Sequence, residues 1–374
     1  MPGSRPIHRL PSLDGMRGIG FLCVFLTHAH LPHWPVPGDP ALAVFFVLSG
    51  YLITTLIRQE YDRSGSVNIP AFYARRALRL LPPFSLVMVI AVIVARLVYL
   101  PGTVHPAPII AVALNMTNYW LALFGGPGMA PGIERYWSLA VEEHFYLLYP
   151  LLYLTLRRSG LSGAAQARVL WALCGLALLW RCVLVAGFHA PDNYITLATE
   201  TRGDMILYGC ALGAWANPVL DPVRLSEATW KWRIIPLCLA AMALSMVWHN
   251  RLFHLTWYYT LQGVALTGLV SAAVRFPGWM LFRWLNWRPL SFMGVLSYTL
   301  YLIHDVNLRA LAWLWPHWPL ALRVLTAFLL SMMVAVAMNA LVERPCARLR
   351  TRLRRRTAGG EIRPPEHPLA PALR

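Results

Sequence analysis

Long apolar stretches separated by short polar ones dominate the chain. Runs close to 20 residues fall at 13–31, 39–57, 80–100, 137–156, 168–188, 203–217, 234–249, 257–274, 290–306 and 320–342, with a further run at 108–124. About 20 apolar residues in a helix cross the hydrocarbon core of a bilayer, where every backbone polar group must be bonded internally. The pattern therefore predicts an all-α fold, a polytopic transmembrane helix bundle. The 203–217 run is short, which suggests a tilted or broken helix.

Arginine positions choose among these eleven runs. Arg5 and Arg9, the 58–79 loop with Arg58, Arg63, Arg75, Arg76 and Arg79, and the 157–168 loop with Arg157, Arg158 and Arg168 carry the charge of cytoplasmic segments. The same holds for 218–233, 275–288 and the C-terminal tail, whereas 32–38, 101–107, 189–202 and 307–319 carry few arginines or none. This alternation works only if 108–124 begins and ends outside, as an interfacial or re-entrant segment. The expectation is about ten spanning helices with both termini cytoplasmic. Residues 1–345 form the transmembrane domain, and 346–374, basic and then proline-rich, form a disordered cytoplasmic tail.

Composition points the same way: 57% of residues are hydrophobic and 13% charged, where soluble domains carry about 25% charged residues. A net charge of +17 could signal a nucleic-acid binder. The arginines instead cluster beside apolar runs, so no nucleic-acid partner is expected. Five of the six cysteines lie in predicted spans and none has zinc-ligand spacing, so no metal site is expected. The stretch from Met16 to Leu31 holds Arg17, Thr27, His28 and His30 and has no small-residue cleavage site, which favours a first span over a signal peptide. No phosphate loop, dinucleotide fingerprint, zinc-protease motif or nucleophile elbow occurs, so an ATP-driven pump or a serine hydrolase finds no support.

Ionisable groups inside spans are expensive and mark functional sites by default. Arg17 and His28 are 11 residues apart, which returns them to within about 20° of one helix face and separates them by about 16 Å along the axis. Imidazole can take a proton from a hydroxyl near neutral pH. Arg76 and Arg79 share a face at i, i+3 spacing, with Arg75 adjacent, and planar guanidiniums suit the phosphates of a nucleotide-like ligand. Glu142, Glu143 and His144 enter the first turns of the 137–156 run. Asp204 with Arg202, and His304 with Asp305, are further polar insertions, while Glu343-Arg344-Pro345 closes the last run, where Pro345 can end the helix. Each group also has a structural reading: arginines that snorkel to the interface or contact anionic lipid, and side chains bonded between helices.

Taken together these stretches resemble the acyltransferase-3 family of bacterial membrane proteins, which includes lipopolysaccharide and peptidoglycan O-acetylases and macrolide acyltransferases. The matching text is Leu13-Asp14-Gly15-Met16-Arg17-Gly18 leading to His28, then Phe45 to Ile53, Phe72 to Pro82, Trp137 to Tyr146, Ser297 to His304, and Glu343-Arg344-Pro345. The blocks run in the family's order from about residue 10 to 346. Where members commonly carry Gln or Glu, this chain has His144.

The resemblance implies an enzyme moving an acyl group, acetyl above all, from acyl-CoA as co-substrate, with no bound cofactor. The acceptor hydroxyl would belong to a glycan, a lipid-linked saccharide or a small lipophilic metabolite, at a bacterial plasma membrane. It implies His28 as general base and Arg76 and Arg79 as the residues that engage coenzyme A; Glu142 and Glu143 are further catalytic candidates from their place inside a span. Arg17, Arg75, Arg76, Arg79, Ser49 and Asp204 are the substrate-binding candidates. His28 and the guanidinium cluster are expected to converge on one lipid-shielded cavity. The competing classes are a transporter that uses its buried charges as a path, and a non-catalytic scaffold.

Overall fold

The computed structural model describes residues 10–32, 34, 38–98 and 104–357, with side chains to residue 351. Arg5, Arg9 and the tail beyond Thr357 lie outside the described residues, as do residues 33, 35–37 and 99–103. Among the described residues every regular element is helical.

The first helices are α1 (Pro11–His28), α2 (Gly38–Ser64), α3 (Ile69–Val98), α4 (Pro106–Ala113), α5 (Thr117–Phe124), α6 (Trp137–Arg158) and α7 (Gly163–Ala186). Longer helices then cover Asp204–Ala214, Trp257–Arg275, Arg288–Leu314 and Leu320–Met338. Among the described residues, five helices are long and apolar enough to cross a membrane: α2, α3, α7, Glu227–Val247 and Leu320–Thr351. A sixth span arises if Trp257–Arg275 is joined to Met280–Asn286, which leaves it at 90°. Helices α1, α6 and Arg288–Leu314 have 18, 22 and 27 residues and carry Arg17 with His28, Glu142 with Glu143, and His304 with Asp305. Their charged and imidazole side chains lower their hydropathy.

Protein buries 78% of the apolar window of α2 but only 11–28% of the other four. Helix α2 is therefore central, and the others turn apolar side chains such as Leu97, Leu176, Leu237 and Met333 outward. Such a surface suits lipid.

The 108–124 run is two helices of 8 residues, broken at Asn115 with φ 57°. Each is about 12 Å long, too short to span. Asp204–Ala214 has 11 residues, in keeping with the shortness of its apolar run. Pro345 does not end the last helix. A π-helical turn over Asn339–Glu343 widens the backbone just before it, and the helix continues as Arg344–Thr357, so the first part of the basic tail is helical. The same device recurs at Trp230–Ile234, ahead of Pro236. A proline clashes with the carbonyl four residues back, and an inserted residue relieves that clash.

Two close helix contacts set the geometry. Helix α1 lies against Arg288–Leu314, and α2 against Asp204–Ala214. A Cβ on Gly294 would sit 1.7 Å from the Asp14 carbonyl oxygen, and one on Gly50 would sit 1.9 Å from that of Ile206. Small residues let these backbones touch, the usual basis of helix association in lipid.

Candidate active site

Arg17 and His28 of α1 belong to two separate clusters, one toward each end of the helix. At the C-terminal end, His28 Nδ1 lies 2.8 Å from Nε2 of His304. The rings are within 10° of parallel with centroids 5.1 Å apart. His304 is fully buried, with Phe21 and Phe25 packed on its ring, and its Nδ1 lies 2.8 Å from the Tyr301 carbonyl oxygen. Beside the pair, Asp305 accepts from Arg135 Nε at 3.1 Å and from Arg309 Nε at 3.0 Å, while Arg309 also pairs with Glu134. A cavity of about 240 Å³ opens here, lined by His28, His30, Asp305, Arg309 and Arg323 among others. His28 thus faces free volume on one side and a buried imidazole on the other.

The second cluster sits near the N-terminal end of α1. Arg17, Arg76 and Arg350 lie close enough to Arg79 to act on it as like charges. The Arg76 guanidinium stacks 3.6 Å above the Tyr146 ring, and Tyr146 Oη donates to Glu142 Oε2 at 2.8 Å. The buried Ser49 hydroxyl engages both Glu142 and Tyr146, and Arg76 faces Glu142 and Glu143. The Nε atoms of Arg17 and Arg76 are buried with no protein partner. A concentration of positive charge with spare donors is what a phosphate-bearing ligand requires.

A row of side chains from α6 and Arg288–Leu314 runs between the clusters. Tyr298 faces Glu143 and Arg79 and donates to the Leu80 carbonyl at 2.9 Å. Further along, Ser138 and Tyr301 hydroxyls are 2.7 Å apart, and the Tyr301 ring is 5.6 Å from that of His304. Tyr298, Tyr301 and His304 recur at helical spacing, a signal present in the sequence but given no role there. Tyr146 and Arg350 also went unassigned.

Several expectations are corrected. The imidazole and the guanidiniums do not line one cavity: neither Arg17, Arg76 nor Arg79 borders the space beside His28. A straight helix keeps residues 11 positions apart at opposite ends, whatever face they share. A larger cavity of about 320 Å³, with apolar walls and Arg224 and Arg275 on its lining, contains no imidazole or carboxylate. Arg75 turns away from Arg79 and pairs with Glu60 at 2.8 Å. Asp204 is fully buried in an ion pair with Arg181 at 2.8 Å, away from both clusters. His144 Nδ1 contacts Thr199 Oγ1 at 2.7 Å. Among the described residues, no group of three or more His, Cys, Asp or Glu side chains could hold a metal.

The chain matches the acyltransferase-3 family, described as an acyltransferase domain, over residues 10–340. It is similar to the peptidoglycan O-acetyltransferase OatA of Listeria monocytogenes, with 27% identity over 310 residues that cover 79% of this chain and 49% of that protein. It is likewise similar to the O-acetyltransferase OatA of Staphylococcus aureus, with 28% identity over 312 residues, 79% of this chain and 50% of that protein. The chain thus spans about half the length of these relatives. No solved structure matches it.

Proposed function

The chain belongs to the acyltransferase-3 family of acyl-transferring enzymes, and from that premise we propose that it is a membrane O-acyltransferase carrying an acetyl group from acetyl-CoA to a hydroxyl of a cell-envelope glycan. The observation that carries this reading is the pairing of His28 with a buried imidazole while it borders an open cavity. The peptidoglycan O-acetyltransferase name of a relative supports the glycan acceptor.

In this reading the arginine-rich ends of the helices are cytoplasmic, ten legs span the plasma membrane, and both termini lie inside. Arg17, Arg76 and Arg79 take the phosphates of CoA, with Arg350 adding charge. Arg75 is committed to Glu60 and takes no part. Glu142 holds Tyr146 beneath Arg76, so the carboxylate shapes the donor site and leaves the proton transfer to His28. The pantetheine arm, extended along the row of Tyr298, Ser138 and Tyr301, spans the roughly 16 Å between the clusters. The thioester carbonyl then lies near His28. His28 removes the proton of the acceptor hydroxyl as its oxygen attacks the thioester carbon; the carbon–sulfur bond breaks, His28 returns the proton to the departing sulfur, and the ester and CoA leave. Holding thioester and acceptor together beside His28 supplies the proximity on which acyl transfer depends.

The test is acyl transfer from labelled acetyl-CoA by purified, folded His28→Ala protein. Loss of a positioned general base is expected to slow turnover by about 10²–10⁴-fold with CoA binding retained. Near-normal turnover would remove His28 from the mechanism.

A further inference from the structure

The contacts around His304 define something beyond burial, and they bear on how His28 can act. Leu300 and Tyr301 supply carbonyl oxygens 3.2 and 2.8 Å from His304 Nδ1. A carbonyl oxygen can only accept, so the proton of His304 resides on Nδ1. A neutral imidazole protonated there has its lone pair on Nε2. That Nε2 lies 2.8 Å from His28 Nδ1, which must therefore donate. His28 is left with its lone pair on Nε2, across the ring from the bond.

We propose that His304 is the positioning residue for His28, fixing its tautomer and its ring plane through the chain from helix carbonyl to His304 to His28. This rests on the reading of His28 as the base. Both carbonyls belong to the helix that carries His304, so the anchor is as rigid as the helix itself. Phe21 and Phe25 close over the His304 ring and keep water from competing for it. The nearest carboxylate, Asp305, is occupied by Arg135 and Arg309 and makes no bond to His28. An imidazole thus fills the orienting role that a carboxylate holds in serine hydrolase triads. When His28 accepts the proton from the hydroxyl, His304 Nε2 still receives its Nδ1–H and the ring does not turn. His304 itself has no free nitrogen with which to act on substrate.

The experiment compares His304→Gln and His304→Leu in the full-length protein, with kcat and KM for acetyl-CoA. It also records nitrogen NMR of the wild type with labelled histidine, where the His28 signals are those lost in His28→Ala. The expected wild-type result is a protonated Nδ1 and a bare Nε2 on His28. Leucine offers no acceptor, and kcat should fall roughly 10–10³-fold with KM within about twofold, short of the largest losses known for a misplaced tautomer. Glutamine can accept with its amide oxygen and should stay within about tenfold of wild type. Unchanged kcat in the leucine variant, a glutamine variant as impaired as leucine, or a His28 protonated on Nε2 would each overturn the proposal. Should the leucine variant not fold, the wild-type nitrogen signals decide alone. Full activity of His28→Ala would instead defeat the base assignment and leave the tautomer measurement standing.

Discussion

Asp204 shows what a buried charge does when it is not catalytic. Its partner Arg181 also donates to the carbonyls of Thr201 at 2.6 Å and Thr256 at 3.1 Å and to Thr260 Oγ1 at 2.7 Å. One guanidinium therefore ties α7 to the Asp204–Ala214 and Trp257–Arg275 helices and to the loops beside them. Removing the carboxylate alone leaves an uncompensated buried cation. Asp204→Ala is expected to lose about 3–5 kcal/mol of stability, whereas the apolar pair Asp204→Leu with Arg181→Met should recover most of it. Unfolding of the three proteins in detergent checks the ranking, and equal losses in single and double variants would reject it. The contrast with Arg17 and Arg76 is in their donors. Their buried Nε atoms have no protein partner, while every side-chain nitrogen of Arg181 is engaged.

Helix contacts decide whether those residues meet. His28 reaches His304 because α1 and Arg288–Leu314 approach to backbone contact where Gly294 faces Asp14. An alanine there gains about 1 kcal/mol of helix propensity but drives its methyl into a carbonyl that cannot move without separating the helices. Gly294→Ala is therefore expected to lower the melting temperature and reduce acyl transfer together. Gly175, in the middle of α7, has nothing within 4 Å of its would-be Cβ. Gly175→Ala should be neutral or stabilising, by up to about 1 kcal/mol. If both alanines behave alike, packing at Gly294 is not what holds the histidines in register.

Across the molecule, the arginine-rich ends of the helices are only partly neutralised. Arg58 binds Asp221 with both terminal nitrogens, at 2.9 and 2.6 Å, and Arg157 reaches Asp62 at 3.0 Å. Asp221 lies in the loop between Ala214 and Glu227. Burial pulls its carboxyl upward, but the Arg58 hydrogen bonds and charge and the Asn217 backbone N–H outweigh burial and hold it below the usual carboxylate range. A carboxyl depressed on folding contributes stability above its unfolded value, about 3.9, and that contribution fades as pH falls through the folded value. Melting temperature should therefore drop more steeply from pH 5 downward in the wild type than in Asp221→Asn. Parallel curves would show that this pair does not couple folding to pH.

The chain by itself determined the all-helical class, the apolar legs and the residues worth inspecting, because lipid permits few backbone solutions and makes each buried charge conspicuous. Helical spacing alone puts Arg17 and His28 near one face, about 16 Å apart along the axis. Spacing along one helix is silent about which neighbouring helix presents what. The His304 partner of His28, the Tyr146 platform under Arg76, the Arg181 partner of Asp204 and the turning of Arg75 to Glu60 each come from another helix and depend on how the helices pack. The continuation of the last helix past Pro345 escaped for a related reason. A π turn is a backbone response to packing, and no residue type announces it. Which side chains are reactive and which are merely held was a decision of the tertiary structure, since a proton's position or a guanidinium's spare donor depends on what the other helices leave unbonded.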